Sequence, residues 1–157
     1  MSGSPSNQPA VRLATRDDVA SMIAIAAAAY VIYIERIGRE PAPMVADFAA
    51  HVAAGEAYVL EDGGEVVAYL ITFEKDGGQF IENVAVRPSR QGGGHGKRLL
   101  DFAEAAARRA GLGRLFLYTN LMMTENLDFY PRLGYLETHR IHEDGFDRVY
   151  FEKVLAS

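Results

Sequence analysis

The chain has 157 residues, 49% of them hydrophobic, and a formal net charge of -5, which predicts one globular domain with a core of its own. The negative balance argues against broad nucleic-acid binding, since that function usually requires a basic face. Because the sequence contains no cysteine, disulfides, thiolate metal sites and a covalent cysteine acyl-enzyme are excluded.

Residues 1–10 are rich in Ser, Pro, Asn and Gln and contain no apolar segment, which predicts a mobile tail rather than a signal peptide. The single domain is expected at 11–157. The longest apolar run, at 24–34, is shorter than the roughly 20 residues of a membrane span, so we expect no membrane interaction. Together with the lack of cysteine, these features predict a cytoplasmic protein.

The first half of the domain alternates strand and helix patterns with turn residues. Thr15 and Asp18 are expected to cap the first helix, and His51 is expected on the outer face of the second helix. Gly-rich turns between the later strands predict antiparallel hairpins. The predicted elements are a strand at 11–14, helices at 15–38 and 45–55, and strands at 57–60, 66–73 and 79–86.

The stretch after the last of these strands combines glycine with positive charge. Four glycines lie within positions 92–96, where a backbone without Cβ atoms can approach a ligand closely. A helix begins there, and its N-terminus favours an anion, most often a phosphate. No Asp or Glu occurs between Asn83 and Leu100. We therefore expect an anionic ligand, attracted also by Arg87, Arg90, Lys97 and Arg98.

The second half of the domain begins with the helix after the glycines. This helix is expected to bury Leu99, Ala103, Ala106 and Ala110 on one face. A right-handed crossover would then make the strand at 115–119 parallel to the strand at 79–86. The elements predicted after it are a short helix at 124–133 and a hairpin of strands at 136–141 and 148–154.

Two nucleotide-binding patterns do not fit the glycine turn. The Walker pattern requires glycine in place of Gln91 and Ser or Thr in place of Arg98, and the dinucleotide pattern lacks its third glycine at Leu99. The pattern that fits is Gln/Arg-x-x-Gly-x-Gly, at 91–96. With its flanking strand and helix, it resembles the acyl-CoA-binding motif of the GNAT N-acetyltransferase superfamily. A mononucleotide-binding domain is kept as an alternative.

The resemblance to GNAT proteins extends over most of the chain, because the order of strands and helices from about 11 to 154 also matches. It implies an α/β (α+β) fold with a mixed, mostly antiparallel sheet of about six or seven strands and helices on both faces. The fourth and fifth strands would be parallel and splayed, with the pantetheine arm of acetyl-CoA between them. A second segment, at 124–135, resembles the family's (Phe/Leu)-Tyr-x-x-x-Gly-(Phe/Tyr) signature.

The resemblance implies that acetyl-CoA is the cosubstrate and that two segments bind it. Main-chain groups of the fourth strand would bond the pantetheine amides, and amides of the glycine turn would hold the pyrophosphate. Backbone donors suit this because no side chain has to be ordered on binding. The implied cofactor-binding residues are Val84, Ala85, Val86, Gln91, Gly92, Gly93, Gly94, His95, Gly96, Lys97 and Asn126. Two alternatives stay open: His95 faces solvent, and Asn120 replaces Asn126.

Two residues are predicted to take part in the chemistry. The resemblance implies that Tyr130 faces the CoA sulfur, where a phenol suits proton donation because its pKa of about 10 is near that of a thiol; the alternative is a core aromatic. Glu82 is expected on the same strand face as Val84 and Val86. An acid there either takes the proton of the acceptor amine, directly or through water, or only binds its ammonium.

Two further segments are weaker candidates. The region 30–44 falls where the family builds the acceptor wall, and its mixed charges indicate either a polar acceptor or a solvated connection. His139 and His142 lie near Glu143 and Asp144, but we expect a chance cluster because no second set of ligands completes a metal site. We therefore predict no metal.

The combined prediction is an acetyl-CoA-dependent N-acetyltransferase. Its acceptor would be the primary amine of a small molecule or peptide, which attacks the thioester directly in a ternary complex. No nucleic-acid partner is expected, and a homodimer is left open. The main alternative is an acyl-CoA-binding sensor or scaffold without catalysis.

Overall fold

The computed structural model describes residues 9–156, so most of the predicted tail at 1–10 lies outside the described residues. The helices are α1 (Val19–Ile37), α2 (Phe48–Ala53), α3 (His95–Arg109) and α4 (Thr124–Arg132). The strands are β1 (Ala10–Leu13), β2 (Ala57–Asp62), β3 (Glu65–Lys75), β4 (Gly78–Val86), β5 (Arg114–Asn120), β6 (Leu136–Glu143) and β7 (Phe146–Val154). The predicted order of elements is confirmed.

The strands form one seven-stranded sheet in the order β1-β2-β3-β4-β5-β7-β6. All neighbouring pairs are antiparallel except β4 and β5, which are parallel. That parallel pairing covers only Gln79 with Leu115 and Phe80 with Phe116. Beyond these two pairs the strands separate, so the mixed sheet with splayed fourth and fifth strands is confirmed.

The helices cover the two faces of the sheet and produce two apolar clusters. Neighbouring residues of β3 divide between them: Leu70 packs with Leu99 of α3, whereas Ile71 packs with Ile25 of α1. Strand alternation makes this division, because successive side chains point to opposite faces. Tyr130 of α4 belongs to the first cluster. The clusters fix α1 on one side of the gap between β4 and β5 and α4 on the other.

The buried face of α3 differs from the expected one. Leu99 and Ala103 are buried as predicted, but Ala107 is buried in place of Ala106, and Ala110 is exposed. The buried stripe includes Leu99, Leu100, Ala103 and Ala107, and Ala106 is partly buried at its edge. Ala110 lies beyond the last helical residue.

Helix α1 and the short 3-10 turn before it are long and apolar enough, by length and composition alone, to cross a membrane. In the structure, Met22, Ile25 and Ala26 of this helix are fully buried in the second cluster. Core helices pass the same test of length and hydropathy. Packing therefore accounts for part of its apolar composition: 33% of the most apolar window is buried, whereas Ile23, Val31 and Ile32 are more than half exposed.

The predicted capping box of Thr15 and Asp18 is confirmed at the 3-10 turn that leads into α1, and an ion pair extends it. Asp18 accepts hydrogen bonds from the Thr15 amide at 2.7 Å and from Arg12 at 2.7 and 2.9 Å. The Arg12 hydrogen bond is the main reason that the pKa of Asp18 falls to about 2. This network ties β1 to the start of α1.

We expect Asp18→Asn to lower the free energy of unfolding at pH 7 by about 1–2 kcal/mol, since a cap and a largely buried ion-pair partner are lost together. The pKa of Asp18 is depressed by folding, so this stability is present above pH of about 4 and disappears as pH falls towards 2. Urea unfolding of both proteins at pH 7 and at pH 2.5 tests it. Asp17→Asn, an exposed neighbour, is the control, and an equal difference at both pH values would contradict the assignment.

Candidate active site

The gap between β4 and β5 exposes main-chain groups of β4. The Arg87 amide donates to the Val67 carbonyl of β3 at 2.8 Å. Because bonding pairs alternate along an antiparallel ladder, the main-chain groups of Val84 and Val86 face away from β3 and into the gap. The Tyr30 hydroxyl donates to the Val84 carbonyl at 2.8 Å, and the Gln91 side chain donates to the Val86 carbonyl at 3.3 Å. The two carbonyls therefore have partners within the protein, and the two N–H groups point into the gap.

A groove of about 660 Å³ continues from this gap between α1, α4 and the start of α3. Every implied cofactor-binding residue lines it except Gly93. Gly94 is the N-cap of α3 with φ +82°, and Gly92 has φ +89°. Such a backbone with positive φ is available to glycine at low cost. It turns the chain so that the unpaired amides of the first turn of α3 meet the groove. An anion is favoured there.

The positive charges of the glycine segment are largely neutralised, contrary to the sequence argument. Arg90 pairs with Asp62 at 2.9 Å and Glu65 at 3.2 Å, and Lys97 pairs with Asp101 at 2.9 Å. Acids from other parts of the chain thus compensate a segment that has none of its own. Main-chain donors and the helix N-terminus provide the local attraction for an anion.

His95 does not face solvent. Its side chain is only 9% exposed, and Nε2 lies 3.9 Å from Asp62. The ring packs close to the glycine turn, since a Cβ atom added at Gly93 would meet its Nε2 at 3.4 Å. His95 also lines the groove.

A second, smaller cavity of about 220 Å³ lies on the other side of the gap. Residues before α2 form one wall, and β4, β5 and β7 form the others. The groove and the cavity share four lining residues: Tyr30, Val84, Asn126 and Tyr130. Two molecules, one in each space, would therefore meet at the same wall.

Tyr130 is the buried centre of this wall. Its ring packs against Phe129, Tyr135 and Phe151 with centroid distances of 5.2 to 5.7 Å. The buried hydroxyls of Tyr30 and Tyr69 both bond to Asn83, whereas within residues 9–156 no hydrogen bond holds the Tyr130 hydroxyl. Burial is the main reason that its pKa is raised above the ordinary tyrosine value. The phenol thus stays protonated and can act as a donor.

A family model described as the acetyltransferase (GNAT) family matches residues 21–135. The chain belongs to the GNAT acetyltransferase family. Members generally transfer acyl groups from acetyl-CoA, and the GNAT fold and cosubstrate class implied by the sequence are confirmed. No curated protein sequence matches the chain significantly.

Solved GNAT structures share the fold at low sequence identity. PaiA N-acetyltransferase from Thermoplasma acidophilum, solved in complex with coenzyme A, has 13% identity and a TM-score of 0.75 over 94% of this chain and 99% of that chain. The ribosomal-protein-S18-alanine N-acetyltransferase of Escherichia coli has 19% identity and a TM-score of 0.73, with 96% of each chain covered. A nourseothricin acetyltransferase has 20% identity and a TM-score of 0.59, and the match covers 64% of this chain and 65% of that chain.

The structure distinguishes the two asparagine candidates of this GNAT chain. Asn126 lines both spaces, and its Nδ2 donates to the Thr119 hydroxyl at 3.0 Å. Asn120 lines only the smaller cavity, and its side chain accepts a hydrogen bond from the Met122 amide at 2.8 Å. Of the two, only Asn126 lies at the groove.

Glu82 does not share a face with Val84 and Val86, contrary to prediction. A register shift pairs Ile81 with Thr72 and Asn83 with Ile71, so Glu82 is the extra residue of a β-bulge. Val84 and Val86 pack against the α3 cluster, while Glu82 meets His51 of α2 on the opposite side of the sheet. Glu82 nevertheless lines the smaller cavity.

The position of His51 differs from the predicted one. It faces inward, not outward: its side chain is 20% exposed, and Nε2 lies 2.8 Å from Glu82 Oε2. Its ring stacks on Phe73 with a centroid distance of 6.0 Å. No short-range pattern predicts this pairing, because Glu82 lies 31 residues along the chain and on another element.

The region 30–44 lines part of the smaller cavity, but not with its charged residues. Pro41, Ala42 and Pro43 line the smaller cavity. Two charged residues of this region have partners instead of lining the cavity. Arg36 pairs with Glu125 at 2.8 Å, and Arg39 lies over the Phe146 ring. The wall is therefore less polar than its sequence indicates.

The two C-terminal histidines have separate partners. His139 stacks on Tyr150 with a centroid distance of 4.3 Å, and His142 contacts Asp147 at 2.8 Å. Both lie on β6, the exposed edge strand of the sheet.

Proposed function

We propose that this GNAT chain transfers the acetyl group of acetyl-CoA directly to a primary amine within a ternary complex. The observation that carries the proposal is the wall shared by the large groove and the small cavity. The groove has the length and the main-chain donors for a phosphorylated, amide-bearing arm. The cavity has the size for the reacting end of a small acceptor. A thioester and an amine in these spaces would approach each other beside Tyr130.

The proposed roles follow from where the groups point. The amides of the glycine turn bind the diphosphate, and the Val86 amide bonds the pantetheine arm. The Val84 amide points into the gap and stabilises the oxyanion as the amine attacks the thioester carbonyl. Tyr130 donates its proton to the departing thiolate. Each role uses a donor that is already fixed by the fold, so little ordering is required on binding.

The charges around the smaller cavity favour a cationic acceptor. Glu82 and Asp47 contribute two carboxylates to its lining, and the basic side chains there are Arg148 and His51, which lies 2.8 Å from Glu82. Arg148 is already neutralised by Asp144 at 2.9 Å and lies 4.2 Å from the centroid of the Tyr118 ring. An acceptor with its own carboxylate would therefore find no unpaired cation in this lining, whereas an ammonium would meet two acids. We propose that the acceptor is a compact amine without a carboxylate and that the protein acts in the cytoplasm.

The proposal is tested by titrating acetyl-CoA into the protein in a calorimeter and by measuring thiol release over a panel of amines. We expect binding in the micromolar range and thiol release with at least one cationic amine. Absence of binding would contradict the proposal. Binding without release for every amine would favour the sensor alternative, and stabilisation by ATP rather than CoA in a thermal shift assay would favour a mononucleotide-binding domain.

A further inference from the structure

The imidazole of His51 lies between two carboxylates. Nε2 is 2.8 Å from Glu82 Oε2, and Nδ1 is 2.8 Å from Glu56 Oε1. Phe73 stacks on the ring and limits its rotation. The three side chains come from α2, the loop after it and β4, so the fold, not one local segment, assembles this row.

The two contacts of the imidazole differ in alignment. Nδ1 and Glu56 Oε1 form a hydrogen bond at 2.8 Å, whereas Nε2 and Glu82 Oε2 lie 2.8 Å apart but are not aligned as a hydrogen bond. An imidazole between two acids can accept a proton at one ring nitrogen and release one at the other.

Glu82 links this row to the reacting groups. Its Oε2 is buried and accepts no well-aligned hydrogen bond, although His51 Nε2 is its close neighbour. The β-bulge directs the rest of the side chain to the smaller cavity. At the other end, the Glu56 side chain is 29% exposed and reaches solvent. The row therefore connects the cavity to the surface.

We propose that His51 is a positioning residue that acts through Glu82, and that the two together take the acceptor's proton and pass it to solvent at Glu56. The inference rests on the proposed acetyl transfer. As the amine nitrogen forms its bond to the acetyl carbon and the carbon–sulfur bond breaks, the ammonium form of the acceptor loses two protons. One balances the proton that the thiolate receives, and the other leaves through Glu82, His51 and Glu56.

Other ionisable groups face the same space from each neighbouring element. Asp47 precedes α2, Tyr118 belongs to β5, and Arg148 belongs to β7. Arg148 is held by Asp144 and Glu143, at 2.9 and 3.5 Å. Burial raises the pKa of Tyr118, which keeps that phenol protonated. His51 itself also lines the cavity, so Glu82 and His51 together join it to the partly exposed Glu56.

The test compares His51→Gln with the parent protein. Glutamine can donate a hydrogen bond to Glu82 from nearly the position of Nε2, but it cannot relay a proton from one end of its side chain to the other. We expect kcat to fall about tenfold, at the low end for proton-transfer catalysis. KM for the amine and affinity for acetyl-CoA should change less.

His142→Gln is the matched control, because His142 also contacts an acid at 2.8 Å but lies on the exposed edge strand. It should keep the parental kcat. A His51→Gln protein with parental kcat would overturn the inference while leaving acetyl transfer intact. A His51→Gln protein that loses kcat and loses affinity for acetyl-CoA or the amine by a similar factor would assign His51 to packing and also overturn it. Absence of thiol release from the parent protein would instead contradict the proposed function.

Discussion

Tyr130→Phe is expected to lower kcat by about 100-fold, a typical contribution of a positioned proton donor. Affinity for acetyl-CoA should change by less than about threefold, or roughly 0.7 kcal/mol, because the ring still fills the wall between the groove and the smaller cavity. Within the described residues the phenol holds no structural hydrogen bond, so its removal leaves no unpaired protein partner. The loss should therefore fall on the chemical step.

The measurement is steady-state thiol release together with calorimetric binding of acetyl-CoA. Tyr135→Phe is the matched control, since Tyr135 is also buried, its ring centroid lies 5.7 Å from that of Tyr130, and it lines neither space. It should retain parental kcat. A Tyr130→Phe protein with unchanged kcat and weakened binding would reassign the residue to packing.

Gly94→Ala is expected to raise the Kd for acetyl-CoA by about tenfold or more, equal to about 1.4 kcal/mol. Gly94 has φ +82° at the start of α3. A side chain disfavours that conformation by about 1–2 kcal/mol. Relaxation to negative φ would turn the amides of the first helical turn away from the groove. The anion site would be lost even though a Cβ atom at this position meets no neighbour within 4 Å.

Gly111→Ala controls for the strain itself. Gly111 lies at the other end of α3 with φ +74°, and a Cβ atom there also meets nothing within 4 Å. Both substitutions should lower the melting temperature by similar amounts, but only Gly94→Ala should weaken binding. Equal affinities of the two variants for acetyl-CoA would show that the glycine turn does not hold the diphosphate.

The local patterns predicted the order of elements correctly. The Thr15–Asp18 capping box and the Gly-rich hairpin turns are determined within a few residues, and the structure confirms both. The glycine turn is also a local feature, because residues 92–96 alone determine its positive φ angles and the start of the helix. The splayed strands came from the family resemblance, since no local pattern indicates where two strands separate.

The features that the sequence did not predict depend on distant contacts. Strand alternation placed Glu82 beside Val84, but one extra residue in β4 reverses the face of everything before it. His51 was assigned to solvent because the helix pattern carries no information about β4. Arg90 was counted as an unpaired cation because Asp62 and Glu65, on the preceding hairpin, are more than twenty residues away. Each error concerns a partner on another element.

The two residue pairs that join β4 to β5 have a consequence for the cohesion of the molecule. The sheet consists of two parts, β1–β4 and β5–β7, whose strands are paired with each other only at one end of the boundary between β4 and β5. A ligand that lies between the separated ends of β4 and β5 and bonds to both parts would connect them where strand pairing does not. A ligand concentration of about 100 times Kd would add about 2.7 kcal/mol to the free energy of unfolding. Amide hydrogen exchange should then slow in both β4 and β5.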